Sequence, residues 1–501
     1  MTMLTVLQFD SPSLAVLDRM LGEGRLPVLA GLRGRGTWHE LDTPATHFAA
    51  GAFHTLYSGT ELGDHGLFYP FQWSAADQRV RYTTAFPAPA PVWERLSIRS
   101  LAMDPYESRP PLQAPSGTVI SGWQFTDRVV LQPWSSPPGY NARLERLFGP
   151  PAAVEEVFGR SSARDLLTLR RDLLAASGRA ADAARLLLHR ETFDLAWLTF
   201  SAGHVAGHQF WDDSQLGDDA DTATRHVLNG ALEEIYQSVD AAFGRVLEAL
   251  PEGGDVIVTS PVGMDVNTSR ADLLPEMLAA VLSGGATASE DTGSGFVWKL
   301  RAALPTGLRA QVAAALPDRV ALALTERLEL RGQDWAGTRA FAQPADNQGY
   351  VRLNLAGRER DGIVTAAEAE ALMDEIATGL MTFTDPDGTP SVKAVERIVD
   401  TFPAGVHSDR LPDLIVRWAD TPATRLTHVR SEKFGQVARR GAGSGRSGNH
   451  TAGDAWALVV PGASSVRETS RPPRLVDIAA TAGALAGLDP AALPGEPLLT
   501  R

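Results

Sequence analysis

The stretch that most restricts this chain runs from Asp194 to Trp211. Leu195, Trp197, Leu198 and Phe200 are apolar and Thr199 is β-branched, so the segment opens as a buried strand. Ser201-Ala202-Gly203 breaks the run, and His204 and His208 follow. A helix starting at that break sets both imidazoles on one face, about one turn apart. Two such nitrogens can share one metal ion. A pair of helix histidines facing solvent or core satisfies the same spacing.

Strands and helices alternate along the rest of the chain. Leu4 to Phe9 reads as a core strand ending in Asp10. Open α/β sheets place their sites at such strand ends, although Asp10 suits equally the N-cap of a helix over 12–21. An Ala-rich helix is expected from about Thr46–Ala49 to just before Gly59, and its first amides form a cradle for an anion. Further strands are expected near 117–123, 254–260, 351–355, 411–418 and 455–460. Helices are expected over 161–190, over 220–250 as one long element, over 366–381 behind a Thr365/Glu368 capping box, and over 475–486. This order predicts an α/β fold with a mainly parallel central sheet flanked by helices, plus inserted cap or lid segments. The expected division is a first part of the core over 1–269, with a cap-like segment at about 70–150. A helical insertion follows over 270–340, then a second part of the core over 341–501.

Composition narrows the chemistry. The 501 residues carry a net charge of −14, and no cluster of Lys and Arg stands out against it. Nucleic acid and anionic membrane are therefore not expected partners. There is no cysteine, so thiolate catalysis, disulfides and Cys-ligated metals are excluded, and any transition metal must rest on His, Asp and Glu. The N-terminus lacks the basic start and long apolar run of a signal peptide, and no segment has the apolar length of a membrane span. The expected compartment is cytoplasmic.

The order of motifs resembles the alkaline phosphatase superfamily, in particular its type I phosphodiesterase/nucleotide pyrophosphatase branch. The resemblance rests on Phe9-Asp10, Ser58-Gly59 through His65-Gly66, Ser121-Gly122-Trp123, and Phe193 through Trp211. It continues through Asn347 to Val364, Leu411 to Val416, Ser447-Gly448-Asn449-His450, and the tail from Val476. The resemblance implies two metals, usually zinc, and a Thr or Ser nucleophile at a helix start. Here the positions depart from that pattern. His208 and His450 match ligands of the first site, His204 stands where a carboxylate is expected, and Asp10 keeps the first-strand carboxylate. The nucleophile position falls on Ala49, and Pro261-Val262 replaces the second site's Asp-His pair.

What remains is a mononuclear site of His204, His208 and His450 for one divalent transition metal, with zinc first and iron or manganese as alternatives. The expected function is hydrolysis of a small anionic substrate by metal-activated water. Asp10 is the candidate general base, and Ala49 and Ala50, with His47, are the candidate substrate-binding residues. Thr46 is a candidate displaced nucleophile, and Asp265 a candidate replacement ligand. Two other readings stand beside it: lyase, isomerase or oxygen chemistry on the same site, and a non-catalytic binding protein on the same scaffold.

Overall fold

The structure, a computed structural model, describes residues 2–106, 108–111, 115–125, 133–152, 154, 161–216, 220–285, 334–345, 347–439 and 446–501. Eight strands form the central sheet. In chain order they are β1 (Leu4–Phe9), β2 (Thr37–Leu41), β3 (Ser100–Met103), β4 (Thr118–Ser121), β5 (Trp134–Ser136), β6 (Leu195–Phe200), β7 (Asp255–Ser260) and β8 (Ala455–Val460). Their order across the sheet is β2-β8-β7-β1-β6-β3-β4-β5. The central pairs β7/β1, β1/β6, β6/β3 and β3/β4 are parallel. Antiparallel pairing enters with β8, between β2 and β7, and with β5 at the far edge. The expected mainly parallel α/β sheet is what the chain forms.

Every residue of β1, β6 and β7 is buried, because helices cover both faces of the sheet. Alternate side chains enter opposite layers. Leu7 and Phe9 join Leu198, Phe200 and Val258 on one side, whereas Leu4 and Val6 join Leu195, Trp197 and Ile257 on the other.

The helices that matter here are α1 (Leu14–Gly22), α2 (Ala49–Ser58), α3 (Ala163–Arg190), α4 (Ala202–Phe210), α5 (Thr222–Asn229), α6 (Ala231–Leu247), α7 (Leu274–Leu282), α8 (Ala366–Leu380) and α9 (Val476–Leu485). Residues of α1, α3, α4 and α6 fill the first layer, and residues of α2 and α9 the second. Ser13 caps α1, its hydroxyl accepting from Val16 N, so Asp10 is not the cap. At the end of α2, Gly59 takes a φ of 62°, where a side chain would be strained and would also meet Ala479 Cβ at 2.8 Å. The single helix expected over 220–250 is two, α5 and α6, meeting at Gly230. Only Leu228 of α5 is buried, whereas α6 buries Leu232, Ile235, Tyr236, Val239 and Phe243, so the glycine lets two differently packed segments part. The capping box at Thr365 and Glu368 is present.

A second sheet is wholly antiparallel. Its order is Ala340–Gln343, Gly349–Leu353, Leu414–Trp418, Val392–Arg397. One face packs on α7 and α8 around Met277, Leu353, Ile376 and Trp418. The other presents Tyr350 and Ile415 to Phe48 and Phe68, which ties this sheet to the start of α2. Buried and half-buried charges fasten it: Arg352 and Arg358 each pair with Glu359 at 2.8 Å, and Arg358 also reaches Asp413 at 2.7 Å. Of the helical insertion expected over 270–340, residues 286–333 lie outside the described residues.

Candidate metal centre

β1 sits between β6 and β7, and the site lies where these three strands end. Asp10 follows β1, His204 and His208 project from α4 behind β6, and Gly263 follows β7. His450 comes from the other end of the chain, next to the short ladder in which Gly448–Asn449 pairs with Asp265–Val266. The helix after the Ser201 break starts at Ala202, and the spacing of the two histidines puts both rings on one face as expected.

The three imidazoles form a near-regular triangle. Ring centroids are 4.7 Å apart for His204–His208, 4.8 Å for His204–His450 and 4.9 Å for His208–His450. All three residues are buried, and one ligand atom from each lies within 4.8 Å of the others. Each ring is held by its Nδ1. His208 Nδ1 meets Gly448 O at 3.0 Å and His450 Nδ1 meets Gly263 O at 3.2 Å. A carbonyl only accepts, so both Nδ1 atoms carry the proton and both Nε2 atoms present lone pairs. His204 Nδ1 meets Asp10 Oδ1 at 3.2 Å, and Ser11 Oγ donates to the same oxygen at 2.9 Å. Ser11 adopts a φ of 54°, a left-handed conformation that costs a non-glycine residue energy and turns its hydroxyl under His204.

His204 Nε2 and His208 Nε2 face each other at 3.1 Å. Two lone pairs at that separation repel unless a cation or proton lies between them. Burial pushes His208 and His450 well below the usual histidine range, and the charge of buried Arg446 pushes the same way. Tetrahedral zinc with nitrogens at about 2.0–2.1 Å sets them about 3.3 Å apart. The donor set fits a metal ion: three imidazoles, each with its Nδ1 engaged by an oxygen.

Close packing fixes the ligand helix. A Cβ on Gly203 would lie 2.5 Å from Phe9 Cε2, and one on Gly207 would lie 2.7 Å from Met264 Cγ. A Cβ on Gly448 would lie 2.2 Å from Gly207 O, so the His450 segment runs hard against the helix that carries the other two histidines.

The second-site positions are apolar. Ala49 and Val262 fall in one hydrophobic cluster with Leu41 and Ala45, and Val262 is fully buried. Pro261 offers only its carbonyl, which accepts from Thr43 Oγ1 at 3.0 Å. Ala49 begins α2, and Ala50 follows it. Phe48 stands at the N-cap without a side-chain bond to the helix amides.

The other candidates are placed as follows. The Nε2 of His47 pairs with Glu396 at 2.7 Å, and its backbone carbonyl accepts from Tyr350. The hydroxyl of Thr46 lies 2.0 Å from where a Cβ on Gly453 would be, against the loop after His450. Asp265 is exposed and accepts from Val266 N. His65 locks a turn, with Nε2 2.9 Å from Thr55 Oγ1 and Nδ1 accepting from Leu67 N. Arg446, Asn347 and Ser11 were not singled out from sequence. Arg446 stands four residues before His450, where a lone cation is the available signal.

The family model for type I phosphodiesterase/nucleotide pyrophosphatase matches residues 4–450. The chain belongs to that family. It is a family of hydrolases in the alkaline phosphatase superfamily, and its members depend on metal ions. A comparison with curated protein sequences finds no match. Among solved structures the chain is similar to phosphonoacetate hydrolase from Sinorhizobium meliloti 1021 in complex with phosphonoformate. Identity is 13%, the TM-score is 0.51, and coverage is 97% of this chain and 96% of that one. It is also similar to human ectonucleotide pyrophosphatase/phosphodiesterase 5, at 12% identity and a TM-score of 0.51 with both chains fully covered. The murine protein in complex with AMP gives 12% identity and a TM-score of 0.50, again with both chains fully covered. These likenesses concern the fold. Among the described residues no helix is long and apolar enough to cross a membrane.

Proposed function

We propose that this family member is a hydrolase with one divalent transition metal, zinc first, held by His204, His208 and His450, and that it cleaves a small anionic substrate. The observation that carries the reading is the common wiring of the three rings. Each Nδ1 is engaged by an oxygen, and the Nε2 atoms of His204 and His208 converge. A bound cation of this kind supplies Lewis acidity and makes a water reactive near neutral pH.

The chain's own residues do the rest. Asp10, with Ser11 behind it, holds His204 in the tautomer that frees Nε2. The carbonyls of Gly448 and Gly263 do the same for His208 and His450. Phe9 and Met264 pack against α4 and exclude water from behind the rings. The first amides of α2, at Ala49 and Ala50, offer donors to the anionic group, and Arg446 adds a buried positive charge nearby. Ala49 has no hydroxyl, so the substrate is cleaved without a covalent enzyme intermediate.

The test pairs metal analysis with a hydrolysis screen on the full chain. The expected result is about one zinc per chain, lost together with phosphate or phosphonate ester hydrolysis in His208→Ala. Protein that binds no transition metal, or activity unchanged in His208→Ala, overturns the reading. Turnover that releases a non-hydrolytic product would favour a lyase or isomerase on the same three histidines.

A further inference from the structure

A cavity of about 40 Å³ lies beside the last two turns of α2. His54 and Ser58 line it from the helix, His65 from the turn that follows, and Thr84, Tyr106 and Arg109 from across the gap. One water needs about 10–15 Å³ of such space, so the occupant is about three waters in size. Tyr106 also stands beside the metal centre, its ring centroid 6.1 Å from that of His204. The cavity is nevertheless a separate place, since none of the three metal-centre histidines lines it.

Three arginines are tied around this cavity through backbone carbonyls. Arg109 donates to Phe86 O at 3.1 Å and to Ala88 O at 2.7 Å. Arg410 donates to Pro87 O at 2.7 Å and to His65 O at 3.2 Å. Arg95 donates to Ser58 O at 3.0 Å and to Ala492 O at 2.9 Å. All three are half-buried, and among the described residues none pairs with a carboxylate. A carbonyl orients a guanidinium without neutralising it, and a partly desolvated cation favours a counter-ion. The opposing carboxyls are weak: burial holds Glu94, which acts on Arg109, up at about 7, and Asp409, which acts on Arg410, is exposed. Residues 95, 109 and 410 are scattered along a chain of net charge −14, so only the fold gathers this positive charge.

We propose that this cavity binds a small inorganic oxyanion of the phosphate or sulfate class, with Arg109 as its principal donor, at a second site that does not use the metal ion. Two of the five N–H groups of Arg109 are spent on Phe86 and Ala88, which leaves three for a ligand. The planar guanidinium matches two oxygens of a tetrahedral anion. Arg95 and Arg410 add long-range attraction, and the volume suits a free oxyanion better than an organic phosphate. The site is independent of the hydrolytic reading of the three-histidine centre.

Calorimetric titration of the full chain with inorganic phosphate and with sulfate, each with and without added zinc, tests this. The expected result is a saturable binding event that added zinc does not alter. Arg109→Gln is expected to weaken it at least about tenfold, and Arg446→Gln, at the metal centre, to leave it unchanged. Glu94→Gln removes an opposing carboxyl and is expected to tighten it about twofold at pH 8. That variant carries the test if Arg109→Gln fails to fold. Absence of saturable binding, binding that appears only with zinc, or loss in Arg446→Gln but not in Arg109→Gln overturns the site. Affinity unchanged by both Arg109→Gln and Glu94→Gln overturns it as well.

Discussion

Asp10 gives one oxygen to both His204 Nδ1 and Ser11 Oγ, and its side chain is fully buried. A carboxylate at 204 would repel it, whereas an imidazole presents a proton to it. On the proposed reading, Asp10 therefore supports a ligand instead of being one. Asp10→Asn keeps the shape and removes the charge, and zinc affinity is expected to fall about ten- to a hundredfold in a competitive chelator titration. Wild-type affinity in that variant would remove the supporting role. The packing argument is tested at Gly203. Phe9 is pinned edge-on by Tyr236 and Phe243, at 5.1 and 5.8 Å, so it cannot yield to a new methyl 2.5 Å away. Gly203→Ala is expected to cost ~1–3 kcal/mol in urea unfolding, and Gly207→Ala less, because Met264 is flexible. An equal or reversed ranking would contradict this account. His204, His208 and Asp10 were legible in sequence because helix spacing and strand ends are written in side chains. The carbonyls of Gly263 and Gly448 were not, since a backbone oxygen has no residue signature, and only the folded chain aims it.

At the scale of elements, the same contrast separates the two sheets. β1, β6, β7 and β8 are six-residue, fully buried strands, so their apolar runs announce them. Val392–Arg397 buries one of its six residues, and β2 likewise buries only Leu41, so neither carries a strong pattern. The antiparallel order of the second sheet depends on which strands meet in space, which periodicity along the chain does not encode. One short helix carries a titratable carboxyl. Val92–Arg95 is a single turn, and burial pushes the Glu94 carboxyl up to about 7, against the opposing pull of Arg109. With the folded value raised above the unfolded one, the folded state holds the extra proton between about pH 4.5 and 7. Glu94 therefore costs nothing below that window, lowers stability as pH rises through it, and exerts its full penalty above. Glu94→Gln removes the penalty. The variant is expected to gain on wild type by on the order of 1 kcal/mol between pH 5 and 8, after discounting for solvent screening. Parallel urea midpoints at both pH values would show that Glu94 titrates normally.

For the whole molecule, the three-histidine centre joins distant stretches of chain. His204 and His208 belong to the helix after β6, and His450 sits between the second sheet and β8, held by Asn347 and Gly263. A cation there binds only the native arrangement, because unfolding separates residue 450 from the other two by more than two hundred positions. On the proposed reading it would add to global stability as well as chemistry: a ligand present at about a thousand times its Kd contributes about 4 kcal/mol to the folded state. Removing the metal with a strong chelator is expected to lower the Tm, and restoring zinc to recover it. His450→Ala should start lower and show no response to either treatment, because the remaining pair on one helix gives no link across the fold. A zinc-dependent rise in the Tm of His450→Ala equal to that of wild type would mean that the ion is held by the helix pair alone, and that the C-terminal segment reaches the site through packing against Gly207 rather than through the metal.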